Sequence, residues 1–288
     1  MHLENNEIPP LIGLESQNRI VFREGPRQDE TWFFLGDVHA DPDCLNWVFK
    51  HIKNFKNFRL CLLGDIFDRG MDEIECFKLI LQFAKEYPDQ LLWLAGNHDR
   101  PIESNNIEQG WPLRLINLRN VIMPKLPLMV FLSCGIMAMH GGPPSIAALM
   151  GGNLENDSLS PKLQKLMQQS RFIGFKENYE DSDSEHWFNV SDLSEFLNTI
   201  KKATPPIILI RGHDHPIDGH QFFNDNSDFK ILTLLGSSKI GVQFIPNEYR
   251  NWTTIAQLNK NCKTRIIKLL SDGSMKILMT EDENTENC

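Results

Sequence analysis

The chain has 288 residues, 41% of them hydrophobic and 23% charged, and a formal net charge of −9. That composition is long and apolar enough for a large globular core. The acidic balance argues against a nucleic-acid backbone as the main partner, although a cationic centre would still attract a phosphorylated substrate locally. Residues 1–30 are polar, with Pro9, Pro10 and Pro26, and read as an irregular lead-in. From residue 31 strand and helix patterns alternate. TWFFL is followed by DPDCLNWVFKHIKNF, which places Leu45, Val48, Phe49 and Ile52 on one helical face, with Asp41 or Asp43 as cap and Pro42 at its start. RLCLL leads to DEIECFKLILQFAKEYP, a second helix with Ile74, Phe77, Leu81 and Phe83 or Ala84 inward, ending before Pro88. Such alternation predicts βαβ units and parallel strands, hence an α/β fold.

Two further apolar runs, LLWLA and FLSCGIMAM, read as strands. Residues 143–190 are less regular, with helix-like SIAALM and SPKLQKLMQQS and an acidic run over Glu177–Glu185; they read as an insert near a site mouth. DLSEFLNTIKK predicts a helix and PPIILI a buried strand. KILTLLG, GVQFI, WTTIAQLN, TRIIKLL and MKILMT then suggest antiparallel strands forming a second sheet. The expected organisation is one catalytic domain over 31–280 and an acidic tail over 281–288. The six cysteines (Cys44, Cys61, Cys76, Cys134, Cys262 and Cys288) show no paired spacing and read as small core residues in a reducing compartment. No apolar stretch approaches the ~20 residues of a membrane span. The start, MHLENNEIPP, has no basic or apolar signal region. A cytoplasmic protein without membrane contact is the expectation.

Five polar motifs follow these strands: GDVH at Gly36–His39, GDIFDRG at Gly64–Gly70, GNHD at Gly96–Asp99, HGG at His140–Gly142 and RGHDH at Arg211–His215. The carboxyl ends of strands are where open α/β sheets place ligands. In an extended backbone Asp37 and His39 share a face and can hold one metal. Asp65, one βαβ step later, can give an oxygen to each of two cations. Asn97 offers an amide oxygen, and His140 and His213 complete a second site. Oxygen and imidazole donors without thiolate favour manganese, with iron and zinc as alternatives, over calcium or copper(I). Two such divalent ions lower the pKa of a shared water toward ~7 and so supply hydroxide for attack on phosphorus. His98 is placed to protonate the leaving oxygen, Asp68 to orient that imidazole, and Arg69 to hold phosphate oxygens. His215 reads either as a further ligand of the first metal or as a loop histidine. His2, His51, His186 and His220 carry no motif.

Together GDVH, GDIFDRG, GNHD, HGG and RGH resemble the signature set of the phosphoprotein phosphatase (serine/threonine phosphatase) family of calcineurin-like metallophosphoesterases, over about residues 31–241. The resemblance implies a central β-sandwich of two mixed sheets flanked by helices. It also implies the metal ligands Asp37, His39, Asp65, Asn97, His140 and His213, the general acid His98 with Asp68, and phosphate contact by Arg69. The substrate implied is a phosphoserine or phosphothreonine in a protein or peptide; the sequence does not reveal a regulatory partner. Departures mark a divergent, bacterial-type member. Ser182 stands where the family has a second phosphate-binding arginine, with Arg171 as a substitute. Lys239 in LGSSKIG replaces a tyrosine, and Ala40 a glycine. Rival readings are a diadenosine tetraphosphate-type hydrolase, to which Asp99 in GNHD points, a phosphotyrosine phosphatase, and a silent binding module, which would have lost ligands.

Overall fold

The structure is a computed structural model and describes residues 8–14, 19–102, 110–144, 160–172, 174, 187–199, 208–224, 229–237, 252–259, 264–270 and 274–280. Strand β2 (Glu30–Leu35), helix α1 (Pro42–Ile52), β3 (Asn57–Leu62), α2 (Glu73–Glu86) and β4 (Leu91–Trp93) form two consecutive βαβ units, with β2, β3 and β4 parallel. Helix α1 begins at Asp41, whose carboxylate accepts the Asp43 N–H at 3.2 Å, and Pro42 fills the first helical position where its missing N–H is harmless. Helix α2 is capped by Asp72 through the Glu75 N–H at 2.8 Å and stops at Tyr87, the residue before Pro88. Cys44, Leu45, Val48, Phe49 and Ile52 of α1 are buried, as are Cys76, Phe77, Ile80, Leu81, Phe83 and Ala84 of α2.

Period-two alternation divides each strand between two cores. Phe33, Leu35, Leu60 and Leu62 join the cluster that contains α1 and α2. Trp32, Phe34, Cys61 and Leu92 point the other way and meet Val130, Ala138, Ile210 and Leu232 of a second sheet. That second sheet has the order β1 (Ile20–Arg23), β5 (Met129–Leu132), β6 (Ile136–Met139), β9 (Ile208–Arg211), β11 (Lys230–Leu234), β10 (His220–Asn224). Its other face buries Met137, Met139, Leu209 and Ile231 in the same cluster as Leu163 and Leu166 of α4 (Pro161–Gln169) and Phe196 of α5 (Val190–Thr199). Both sheets mix parallel and antiparallel pairs. The result is a β-sandwich of two mixed sheets flanked by helices, with a separate parallel pair, β7 (Arg171–Phe172) and β8 (Trp187–Phe188). No helix among the described residues is long and apolar enough to cross a membrane.

Several local expectations change. FLSCGIMAM is not one strand: β5 turns back into β6 at Ser133–Gly135, and Gly135 adopts φ 88°, which lets the backbone reverse. The lead-in is not irregular throughout, since Ile20–Arg23 pairs in parallel with Met129–Leu132 and Leu11 and Ile12 are buried. The C-terminal strands do not build a separate sheet. β12 (Trp252–Leu258), β13 (Thr264–Leu270) and β14 (Met275–Thr280) form an antiparallel meander that extends the first sheet, because β12 pairs with the free edge of β2. KILTL instead joins β9 in parallel. Helix α3 (Leu113–Ile122) carries two arginines, one of them, Arg119, buried against Phe67 and Trp111, which blurs the apolar stripe that would have announced it. SIAALM, GVQFI, the acidic run and residues 281–288 lie outside the described residues.

Candidate metal centre

Each motif leaves the carboxyl end of a strand at the same edge of the sandwich. Asp37 follows β2, Asp65 follows β3, Asn97 follows β4, His140 follows β6 and His213 follows β9. Asp37 and His39 do converge, but not through an extended backbone. His39 and Ala40 turn to φ 44° and 53°, and the Val38 and His39 N–H groups both donate to the Asp65 carbonyl, at 3.0 and 2.9 Å. Among the described non-glycine residues with positive φ, five of eight (His39, Asp65, Asp68, Arg69 and His213) belong to these motifs, and Ala40 adjoins one. Such strain persists only where surrounding structure enforces it, and it concentrates at functional sites. It also gives a physical reason for glycine to suit the position of Ala40.

Two groups of donor atoms result, each within 4.8 Å: Asp37, His39 and His215, and Asp65, His140 and His213. His215 Nε2 lies 3.1 Å from Asp37 Oδ2, so it belongs with the first group. Asn97 Oδ1 sits between His140 Nε2 and His213 Nδ1, 3.0 Å from each. Asp65 Oδ2 stands 3.7 Å from His39 Nε2 and 3.3 Å from His140 Nε2, which puts this carboxylate between the groups. His39 Nδ1 faces the Phe67 carbonyl at 2.9 Å. A carbonyl only accepts, so Nδ1 carries the hydrogen and Nε2 presents a lone pair toward two carboxylates. That buried Nε2 has no hydrogen-bond partner. A lone pair aimed at carboxylate oxygens is the arrangement a cation satisfies, and the oxygen and imidazole donors suit first-row divalent metals. The residues therefore fit two metal ions.

The electrostatics agree. Burial pushes His39 down to about 4, against the pull of Asp37 and Asp65. Burial and the neighbouring His140 hold His213 well below the usual imidazole range. Burial also disfavours a charged His140, but Asp65 and Asp37 outweigh it and raise this ring to about 9. Asp37 and Asp65 stay below the usual carboxylate range: burial opposes their charge, and attraction to His140 prevails.

Beside these groups His98 Nδ1 lies 2.7 Å from Asp68 Oδ2, and His98 Nε2 lies 3.1 Å from Arg69 Nη2. The His98 backbone N–H donates to Asp65 Oδ1 at 2.8 Å, tying this imidazole to the carboxylate between the groups. Asp65, Arg69 and His98 open onto a cleft of about 680 Å³, lined also by Asn97, His213 and His215. Arg171 reaches this cleft as well, its Nε 3.7 Å from Asp214 Oδ1. Lys239 lies outside the described residues.

A model of the calcineurin-like phosphoesterase family matches residues 32–217. The chain belongs to that family. It is 23% identical over 245 residues to a Caenorhabditis elegans protein named "Putative serine/threonine-protein phosphatase", covering 79% of this chain and 62% of the relative. Over 64 residues it is 34% identical to the serine/threonine-protein phosphatase 4 catalytic subunit of Eremothecium gossypii, 22% of this chain and 21% of the relative. The chain thus spans less than two thirds of these curated relatives. Among solved structures it is similar to a Saccharomyces cerevisiae protein serine/threonine phosphatase with similarity to human phosphatase PP5 (TM-score 0.58, 16% identity, 93% and 84% of the two chains). It is also similar to a cold-active protein tyrosine phosphatase (TM-score 0.55, 16% identity, 92% and 85%). At that identity the likeness is one of fold.

Behind the donor atoms this family member carries a layer that spacing alone did not assign. Asp99 is buried, and its carboxylate accepts N–H bonds from Asp65 (2.9 Å), Ile66 (3.0 Å), Gly96 (3.0 Å) and the Trp93 indole (3.3 Å). It clamps the turns that carry Asp65 and Asn97. Fully buried Arg211 binds Asp214, the Gly141 and Ser170 carbonyls and Thr233, joining the HGG and RGH loops. At Gly96 a Cβ would come within 2.2 Å of Asp65 Oδ1, so the close approach of these loops requires glycine there. His220, Gln221 and Ile217 line the cleft without any sequence motif to announce them. His51 instead packs against Phe33 and Phe55, and His2 and His186 lie outside the described residues.

Proposed function

We propose that the chain is a metal-dependent phosphoprotein phosphatase that hydrolyses phosphoserine and phosphothreonine monoesters. The observation that carries this reading is the His98–Asp68 pair with Arg69, beside a cleft onto which members of both metal-donor groups open, His215 of one and Asp65 and His213 of the other. Asp37, His39 and His215 would hold one metal, Asn97, His140 and His213 the other, and Asp65 both. Bound divalent ions, manganese first and iron or zinc next, supply Lewis acidity at phosphoryl oxygens and a water acidic enough to attack near neutral pH. The remaining work falls to side chains. Arg69 offers a planar fork of N–H donors for non-bridging phosphate oxygens. Asp68 accepts from His98 Nδ1 and keeps its negative charge, chiefly through that hydrogen bond. In the structure Nε2 accepts from Arg69, because a guanidinium only donates. Once Arg69 turns to phosphate, a proton on Nε2 would face the cleft, toward the oxygen that departs as an alcohol. An alkoxide is a poor leaving group, so this proton matters most for serine and threonine esters.

Serine/threonine phosphatase names among the relatives support this substrate class. The DRG of Asp68–Gly70, the most family-specific motif in the chain, supports it too. The test is hydrolysis, with manganese supplied, of matched phosphoserine, phosphothreonine and phosphotyrosine peptides beside diadenosine tetraphosphate. Faster turnover of the two alkyl phosphopeptides is expected. A preference for the dinucleotide or for phosphotyrosine would overturn the assignment.

A further inference from the structure

Asn97 also lines a second cavity, of about 480 Å³, that shares no other lining residue with the catalytic cleft. Three cations face it, Arg19, Arg100 and Lys165, in a chain whose net charge is −9. Their described partners are neutral. Arg19 Nε donates to the Leu126 carbonyl at 2.7 Å and its Nη1 to Gln164, while Arg100 Nε donates to the Asn97 carbonyl at 2.5 Å. The one carboxylate in the wall, Asp99, already spends its oxygens on four N–H groups. Among the described residues, then, three cations line one cavity with no ion pair between them and any carboxylate. Like charges gathered this way repel unless an anion is shared among them.

We infer that this cavity is a second anion site, built to take a phosphate dianion, free or carried on a phosphorylated chain. Arg19 and Arg100 offer guanidinium forks and Lys165 a point charge, the combination that recognises phosphate oxygens. The Gln168 amide donates to the Gly96 carbonyl at 3.0 Å from the same wall. Met123, Pro124 and Pro101 add an apolar rim, which suits carbon atoms attached to the anion. The volume exceeds what a lone phosphate fills and leaves space for the chain that carries it. An occupant would also touch the loop of the catalytic cleft directly, since Arg100 and Gln168 hold the carbonyls of Asn97 and Gly96.

The inference does not depend on the substrate assigned above, and neither does its first test. Equilibrium dialysis of the manganese-loaded chain against inorganic phosphate should find two phosphates per chain. Lys165→Glu, a substitution at an exposed position, should weaken one of the two about tenfold or more while turnover of a small aryl phosphate stays within about twofold. Arg100→Gln should weaken the same one. Phosphate binding that is indifferent to both substitutions, whether one phosphate or two are found, would overturn the proposal. Peptides with one and two phosphoserines identify the source. A lower KM for the doubly phosphorylated peptide that disappears in Lys165→Glu marks a second substrate phosphate as the occupant. Equal KM values, with the dialysis difference intact, mark free phosphate.

Discussion

His98 and Asp68 stand 2.7 Å apart, Nδ1 to Oδ2, while the other nitrogen of the same ring faces the cleft beside Arg69. One nitrogen is thus held by a fixed charge, and the other accepts from Arg69, an N–H that a bound phosphate would claim and so release Nε2 for chemistry. Replacing His98 by Asn removes the titrating group but keeps a polar side chain. On a phosphoserine peptide the expected fall in kcat is about 10²–10⁴, or roughly 3–5 kcal/mol of barrier, as for loss of a general acid. Both metals should remain, by elemental analysis. An aryl phosphate, whose leaving group needs less protonation, should lose less. A near wild-type rate on the peptide would remove His98 from catalysis.

Asp65 lies between the two donor groups, so its substitution tests whether they form one centre. Asp65→Asn keeps the shape and removes the charge. The variant should hold fewer than two metals per chain after gel filtration, and its activity should fall below that of His98→Asn. Retention of two metals at wild-type affinity would mean that the groups bind independently.

Much of this was legible in the chain, for identifiable reasons. The βαβ half was readable because α1 and α2 carry sharp apolar stripes and side-chain caps, Asp41 and Asp72. The donors were readable because each comes immediately after an apolar strand. What escaped depended on pairings distant in sequence. Nothing in WTTIAQL states that it will zip onto β2, some two hundred positions earlier, rather than start a sheet of its own. The brevity of SCG hid a hairpin inside an apolar run. Asp99 read only as a pointer toward a dinucleotide hydrolase, whereas its carboxylate accepts N–H groups from two separate loops. Positive φ at His39 is likewise enforced from outside, by the Asp65 carbonyl.

That role of Asp99 is testable as stability. In Asp99→Asn one acceptor oxygen becomes an N–H₂ group facing backbone N–H donors, so buried donors lose their partner. A loss of about 2–3 kcal/mol is expected, the range for a buried hydrogen bond to a charged acceptor. Urea unfolding should show it as a lower midpoint with an unchanged slope. A wild-type midpoint would mean that the Asp65 and Asn97 turns hold themselves.

Arg69 and Arg171 reach the same cleft from different parts of the chain. Removing Arg69 should lower kcat/KM by about 10–100-fold, the worth of charge-assisted hydrogen bonds to phosphate. Arg171→Ala should act mainly through KM, because Arg171 lies near Asp214 rather than beside His98. If Arg171→Ala leaves KM for phosphopeptides unchanged, Arg171 is no substitute for a second phosphate-binding arginine.

The imidazoles predict how metal and proton compete. His140 is raised to about 9 by Asp65 and Asp37 against the opposing effect of burial. Its protonated form therefore stabilises the metal-free fold fully below about pH 6.5, and that contribution is lost as pH rises through about 9. His39, lowered to about 4 by burial, has the opposite sign: its contribution is present above about 6.5 and is lost as pH falls through about 4. Asp99, raised to about 6 by burial and Asp65, opposes His39 on the acid side. Chelator-treated protein should therefore show its clear Tm decline on the alkaline side, above about pH 6.5. Saturating manganese should flatten the alkaline limb, because the cation takes over from the His140 proton as the charge between the carboxylates. Metal uptake at pH 7.5 should then release protons, visible as a binding heat that varies with the ionisation enthalpy of the buffer. Identical alkaline limbs with and without metal, together with a buffer-independent heat, would show that His140 gives up no proton to the metal.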